Sequence, residues 1–355
     1  MKAWQEAASL MLAARHGRAV SPAVHNYELL CLKRHQKSSF MPGLYVFPGG
    51  TVDPADASLK WREHLAAFGL GDDRLASLVP KAASRPQIFR PPTDGELLRE
   101  VSLRVTAIRE TFEECGILIC RRDVDDSPSG WAQHVSVPGG ELRTWQERVH
   151  NNATEFLELC RRLECYPDLW ALHEWRNWLT PTTVYEKRFD TAFYLTCMPR
   201  VPHAEYDAVE MEDLKWETPA RFTTTGVTLP PPQQIEIAWL TRIKNIDDLL
   251  NVAVQRSREG AKLYMPVRVQ LKDGVMHLLP GDTMYPRELS LLEKKDIDMS
   301  DITMGEFERR TAVKNRLEFL DTHVNVIFTG EDGKDERVEF SMPGYFKKAY
   351  GNTKE

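Results

Sequence analysis
One nine-residue stretch constrains this chain more than any other: Arg109-Glu110-Thr111-Phe112-Glu113-Glu114-Cys115-Gly116-Ile117. Set on a helix at 100° per residue, Glu110, Glu113 and Glu114 share an arc of about 100°. Three carboxylates on one face repel each other and destabilise an isolated helix. Hard divalent cations such as Mg²⁺ or Mn²⁺ offset that repulsion, because they favour clustered carboxylate oxygens. Val101, Val105, Ile108 and Phe112 form an apolar stripe on the opposite side, suited to packing on a sheet. Thr93-Asp94-Gly95-Glu96 reads as a capping box that opens the helix, and Gly116 as the left-handed residue that stops it. The plain alternative is a solvated acidic helix face, and context decides between the two.

A chain of 355 residues holds one large domain or two ordinary ones, with ample material for a core. The net charge of −6 leaves no basic excess to neutralise phosphates, which argues against a general nucleic-acid partner. Six cysteines, Cys31, Cys115, Cys120, Cys160, Cys165 and Cys197, contain no C-x-x-C pair and no zinc-finger spacing. They read as reduced thiols of an intracellular protein. No apolar run approaches the roughly 18 residues of a membrane span, so no membrane partner is expected. Residues 1–18 signal a transit peptide only weakly, and Asn352-Thr353-Lys354-Glu355 is not a Ser-Lys-Leu peroxisomal address.

Along the chain, residues 7–14 and 27–33 read as strands, the second ending in the basic cluster Lys33, Arg34, His35 and Lys37, read as a solvated strand end. Phe47-Pro48-Gly49-Gly50 follows, and its adjacent glycines need unusual backbone angles or a close backbone approach. Residues 57–92 turn polar and read as a surface excursion. Residues 141–178 read as helical, with Trp170, Trp175 and Trp178 near helical spacing and read as core. Residues 189–197 form a strand, followed by the acidic stretch from Glu205 to Asp213. Pro230-Pro231-Pro232 reads as extended backbone, either a spacer or a pocket wall. Helices over 235–243 and 246–256 precede two hairpins, at 267–279 and 323–340.

The stretch from Arg109 to Ile117 resembles the second half of the Nudix box: Gly, five residues, Glu, seven residues, then Arg-Glu-U-x-Glu-Glu-x-Gly-U with U apolar. Thr111 departs mildly at an apolar position. The first half is similar to residues 47–56, with Gly50 as the box glycine and Asp56 where Glu is usual. Residues 57–108 then separate the halves, 52 residues where the box has seven. A box split after Phe-Pro-Gly-Gly is similar to the coenzyme A diphosphatase branch of the Nudix family. Trp178-Leu179-Thr180-Pro181, Leu229-Pro230-Pro231-Pro232-Gln233 and His277-Leu278-Leu279-Pro280-Gly281-Asp282 also look like that branch, over roughly residues 7–285. Arg34 and Gly43 to Gly50 fit part of a pattern seen before the box in coenzyme A Nudix enzymes, although Ser39 stands where a second Arg is expected.

The resemblance implies an α/β fold: a Nudix α/β/α sandwich with a mixed sheet, enlarged by an insertion inside the box and a C-terminal extension. The Nudix domain is expected over residues 1–242, with the insertion at about 57–93, and a helical and hairpin extension over 243–355. The implied ligands for Mg²⁺ or Mn²⁺ are Glu110, Glu113 and Glu114, with the Gly50 carbonyl and Glu210 as additions, and Arg109 orienting the glutamates. The implied reaction is hydrolysis of coenzyme A and acyl-coenzyme A, small-molecule substrates, to 3′,5′-ADP and 4′-phosphopantetheine products. The rivals are a diphosphatase for ADP-ribose or nucleotide sugars, and a Nudix-fold binding module without catalysis. The branch implies a peroxisomal or mitochondrial location. The insertion is expected to overhang the catalytic turn and shape substrate access, so replacing residues 60–90 with a Gly/Ser linker should leave a folded chain that binds Mn²⁺.

Overall fold
The computed structural model describes residues 4–17, 21–123, 130–183, 187–294, 296–320 and 322–342. The terminal residues 352–355 and the first three residues lie outside them.

In chain order the Nudix-like part runs β1 (Gln5–Arg15), β2 (Tyr27–Arg34), β3 (Tyr45–Val46), β4 (Gly49–Thr51), α1 (Lys60–Ala67), α2 (Asp72–Ala76) and α3 (Arg99–Cys115). It continues with β5 (Cys120–Arg121), α4 (Leu142–Asn151), α5 (Glu155–Arg162), β6 (Tyr166–Pro167), β7 (His173–Leu179), β8 (Phe189–Met198) and β9 (Met211–Glu217). The remaining helices are α6 (Pro219–Thr224), α7 (Pro231–Leu240), α8 (Ile246–Glu259) and α9 (Met304–Arg309). The last strands are β10 (Leu263–Tyr264), β11 (Val267–Leu271), β12 (Gly274–Leu278), β13 (Ile297–Met299), β14 (Asn315–Phe319), β15 (His323–Thr329) and β16 (Asp335–Ser341).

The main sheet has eight strands in the order β10-β7-β8-β1-β2-β3, with β4 also on β1 and β9 on β2. β1 runs parallel to β8 and antiparallel to β2 and β4, so the sheet is mixed. The period-2 alternation of β1 divides the core. Ala8, Leu10, Leu12 and Ala14 face one way and pack with Val101, Val105, Ile108 and Phe112 of α3. Met11 and Ala13 face the other way and pack with α7 and α8 through Ile237 and Leu249. The second core also takes in Val275, Leu317 and Val324 of a six-stranded sheet ordered β13-β11-β12-β14-β15-β16. This is the α/β/α sandwich with a C-terminal addition that the chain implies.

Four local expectations are corrected. The Thr93–Glu96 turn does not cap α3, although the Thr93 N–H donates to Glu96 Oε2 at 3.3 Å. Glu96 bridges to Ser58 and the Leu97 N–H donates to the Ala57 carbonyl at 2.9 Å, so the backbone there is extended and the helix begins at Arg99. Gly116 does close it, at φ +71°. Residues 173–179 form a strand, not a helix. A bulge between Glu174 and Arg176 turns Trp175, Arg176 and Trp178 together onto the buried Glu236 carboxylate, which mimics helical spacing. Pro231 and Pro232 occupy the first turn of α7, where a proline's missing N–H costs nothing, so only Pro230 keeps an extended backbone.

The fourth correction concerns residues 57–92, which are not a surface excursion. Trp61, Leu65, Leu70, Leu75, Ile88 and Phe89 are buried in the same core as α3. Arg85 pairs with buried Glu174 at 2.7 Å and with Glu100 at 3.2 Å, and Arg90 pairs with Glu6 at 2.7 Å. Polar composition hid this, because the apolar residues are few and spread over short helices.

Candidate active site
The glycine turn and the last two turns of α3 are built around each other. β4 pairs with β1 so that Gly49 faces Ser9 and Gly50 faces Ala8. Gly49 holds φ +149°, and a β-carbon there would lie 2.3 Å from the Ala8 carbonyl. A β-carbon on Gly50 would lie 2.3 Å from Glu110 Oε2. The first glycine is thus required by backbone conformation and crowding, while at the second a side chain would displace the Glu110 carboxylate. The Gly49 N–H donates to Glu114 Oε2 at 2.9 Å.

Arg109 is the hub. Its Nε and Nη2 donate to Asp56 Oδ1 and Oδ2 at 2.8 and 2.9 Å, a bidentate pair, and Nη2 also donates to the Thr51 carbonyl at 3.1 Å. Nη1 reaches Glu113 Oε1 at 2.5 Å and Glu110 Oε1 at 2.9 Å. Thr106 Oγ1 and the Asp53 N–H donate to Asp56 Oδ2 at 2.8 and 3.1 Å. Asp56 therefore anchors the arginine across the interrupted box, and the arginine holds two glutamates. Asp56→Ala is expected to destabilise the fold by about 3–5 kcal/mol, because it leaves the buried guanidinium short of its main counter-charge. The midpoint of urea unfolding measures this.

Glu210, which precedes β9, reaches the site because the preceding loop is tied to the carbonyls at the end of α3. Asp207 N–H donates to the Glu114 carbonyl at 2.9 Å and Glu205 N–H to the Cys115 carbonyl at 3.0 Å, satisfying groups a helix end leaves open. His150 of α4 lies between, with Nδ1 3.8 Å from Glu113 Oε2 and 3.9 Å from Glu210 Oε1. In the sequence His150 is a lone histidine on an amphipathic helix and carries no local signal.

Burial pushes the Glu110 carboxyl up to about 8, with Arg109 opposing and Glu113, Asp56 and Glu210 adding to the rise. Burial and the charge of Glu110 raise Glu114 well above the usual carboxylate range, and burial raises Glu113 against the pull of Arg109. Asp56, Glu110, Glu113, Glu114 and Glu210 thus crowd one region, and the Arg109 guanidinium there is already shared among three of them. The donor chemistry suits a hard divalent cation, with oxygen ligands only, excess negative charge and a backbone turn in contact. Among the described residues no three of these carboxylates already bring oxygens within 4.8 Å of one another, so the side chains would close on the ion.

The carboxylates open into a cleft of about 660 Å³. Arg34 and Lys187 also line it, as do Phe40, Trp178, Pro232 and His277. Arg34, read from the sequence as a solvated strand end, donates from Nε to the Phe40 carbonyl and to Ser38 Oγ, each at 3.1 Å. Among the described residues of the insertion, none lines the cleft, so it does not overhang the catalytic turn.

This fold, with crowded carboxylates on a helix packed against a Gly-Gly turn, is that of a Nudix hydrolase. A profile described as NUDT19 Nudix domain matches residues 4–240, and one described as NUDT19 C-terminal domain matches residues 268–329. The chain belongs to the NUDT19 family of Nudix hydrolases. It is 37% identical to acyl-coenzyme A diphosphatase NUDT19 of Gallus gallus, over 94% of each chain. The protein of the same name from Xenopus laevis is 37% identical over 90% of this chain and 91% of its own. The Homo sapiens protein of that name is 35% identical over 82% of each. Nudix hydrolases generally need divalent metal ions. No helix among the described residues is long and apolar enough to cross a membrane.

Proposed function
We propose that this chain hydrolyses the diphosphate bond of coenzyme A and acyl-coenzyme A esters, giving 3′,5′-ADP and (acyl-)4′-phosphopantetheine, with Mg²⁺ or Mn²⁺. The observation that carries this reading is one cleft lined both by a crowded set of carboxylates and by the cations Arg34 and Lys187. Glu110, Glu113 and Glu114 would hold the cations, with Glu210 and the Gly50 carbonyl as further oxygen donors. Ions bound there would neutralise the diphosphate oxygens and lower the pKa of the attacking water. Arg109 is a positioning residue: its guanidinium is spent on Asp56, Glu110 and Glu113 and does not reach substrate. The Gly49 N–H fixes Glu114, and His150 stands between Glu113 and Glu210. Arg34 and Lys187 offer positive charge for the 3′-phosphate, a group that coenzyme A has and ADP-ribose lacks. The names of the relatives agree with this substrate class. A peroxisomal or mitochondrial location belongs to the same reading through the branch resemblance, and imaging of the tagged protein in cells tests it.

Dephospho-coenzyme A, which lacks the 3′-phosphate, is expected to show a kcat/KM roughly tenfold or more below that of coenzyme A. One charge-assisted contact of about 1.5–3 kcal/mol accounts for that ratio. Steady-state hydrolysis of both, with ADP-ribose alongside, measures it under Mg²⁺ and under Mn²⁺. Equal turnover of the two coenzymes, or faster turnover of ADP-ribose, would favour the nucleotide-sugar reading.

A further inference from the structure
Cys160 and Cys165 stand with four residues between them, a spacing that zinc sites use, but Cys120 lies well before them in the chain and only the fold brings the three together. Their Sγ atoms all lie within 4.8 Å of one another, and all three side chains are buried. They come from three places: Cys120 from β5, Cys160 from the last turn of α5, and Cys165 from the turn that leads into β6. β5 pairs with β6, and the Cys165 N–H donates to the Cys160 carbonyl at 3.0 Å, which closes that turn. None of the three lines the carboxylate cleft. We propose that these thiols form a second metal site, which takes one soft d¹⁰ cation, Zn²⁺ or Cu⁺, through three thiolates.

The geometry requires little movement. Sulfurs bound at about 2.3 Å in a tetrahedral or trigonal arrangement stand about 3.8–4.0 Å apart, so the present spacing closes by less than about 1 Å. Three thiolates around one such ion leave a net negative charge. Without metal, hydrogen bonds from the Cys120 and Cys160 thiols, with Arg122 and His64 adding, hold Cys165 below the usual thiol range, while burial raises Cys120 and Cys160. His64 is itself buried, with Nε2 2.8 Å from the Cys165 carbonyl. Thiolate sulfur selects soft cations over the hard ones that suit the carboxylate cleft, so the two sites discriminate by donor type. A bound ion would clamp α5 to the β5–β6 pair, and its binding energy would count toward folding. Core cysteines elsewhere in the chain act as small apolar side chains; among the described residues no other cysteines are grouped this way.

The test is metal analysis of the full chain, expressed in zinc-supplemented and separately in copper-supplemented medium and purified under reductant without chelator. Elemental mass spectrometry is expected to find about one thiophilic ion per chain, zinc or copper according to which the site prefers. Protein expressed with cobalt is expected to show a thiolate-to-cobalt charge-transfer band, which oxygen ligands in the cleft do not produce. Cys160→Ser should lower the bound metal and the band at least about fivefold, while Cys197→Ser should retain both. Wild-type protein with no thiophilic ion and no cobalt band would overturn the proposal and leave three reduced core thiols. Equal metal in Cys160→Ser would overturn it too. If that variant does not fold, the wild-type cobalt spectrum decides.

Discussion

Glu113→Gln and Glu114→Gln are each expected to lower kcat by about two orders of magnitude or more, with the fold retained. Glutamine keeps the length and helix propensity of glutamate but removes the ligand charge. The fold should survive because both carboxyls are already raised by burial, so the amide relieves crowding that the charged forms suffer without metal. Glutamine at 114 can still accept the Gly49 N–H through its carbonyl oxygen, so the turn keeps its tie. Steady-state kinetics at saturating Mn²⁺, with circular dichroism as the fold control, measures both halves of the expectation. Activity near wild type in both variants would sink the assignment of these glutamates as metal ligands.

Replacing residues 60–90 with a Gly/Ser linker is expected to leave no cooperatively folded protein, the reverse of what composition suggested. The replacement deletes Trp61, Leu65, Leu75, Ile88 and Phe89 from the core under α3. Losing a single buried side chain of this size costs about 2–5 kcal/mol, and a whole domain is stable by only about 5–15 kcal/mol. The cut also removes Arg85 and leaves the fully buried Glu174 with the more distant Arg104, at 3.7 Å, and the Ala261 N–H, at 3.1 Å. A milder variant keeps the expectation quantitative: Trp61→Ala should cost about 3–5 kcal/mol in urea unfolding. A soluble, cooperatively melting linker variant that still binds Mn²⁺ would restore the surface-excursion reading.

The helix that carries Arg109 to Cys115 was legible because its pattern is local. Three glutamates at fixed angular spacing share a face whatever the helix packs on, and the opposite stripe of Val101, Val105, Ile108 and Phe112 has only one way to be buried. The alternation within β1 and the stop at Gly116 are local in the same sense. Asp56 could be placed in the box by pattern, but that it grips Arg109 through a bidentate pair across 52 intervening residues is a fact of tertiary structure. So is the arrival of His150 and Glu210 beside Glu113, brought there by α4 and by backbone bonds to the end of α3. The strand at 173–179 was misread because a bulge gives its tryptophans the spacing of a helix face. The insertion was misread because burial depends on where short helices dock, which polar composition does not report. The gathering of Cys120, Cys160 and Cys165 belongs with these: the spacing of Cys160 and Cys165 was a local signal, but the arrival of Cys120 from a distant strand was not. Sequence alone determined the acidic helix and the face its glutamates share, since spacing along a helix is itself geometry; only the tertiary structure decided what surrounds it, because those neighbours are set by packing between distant segments.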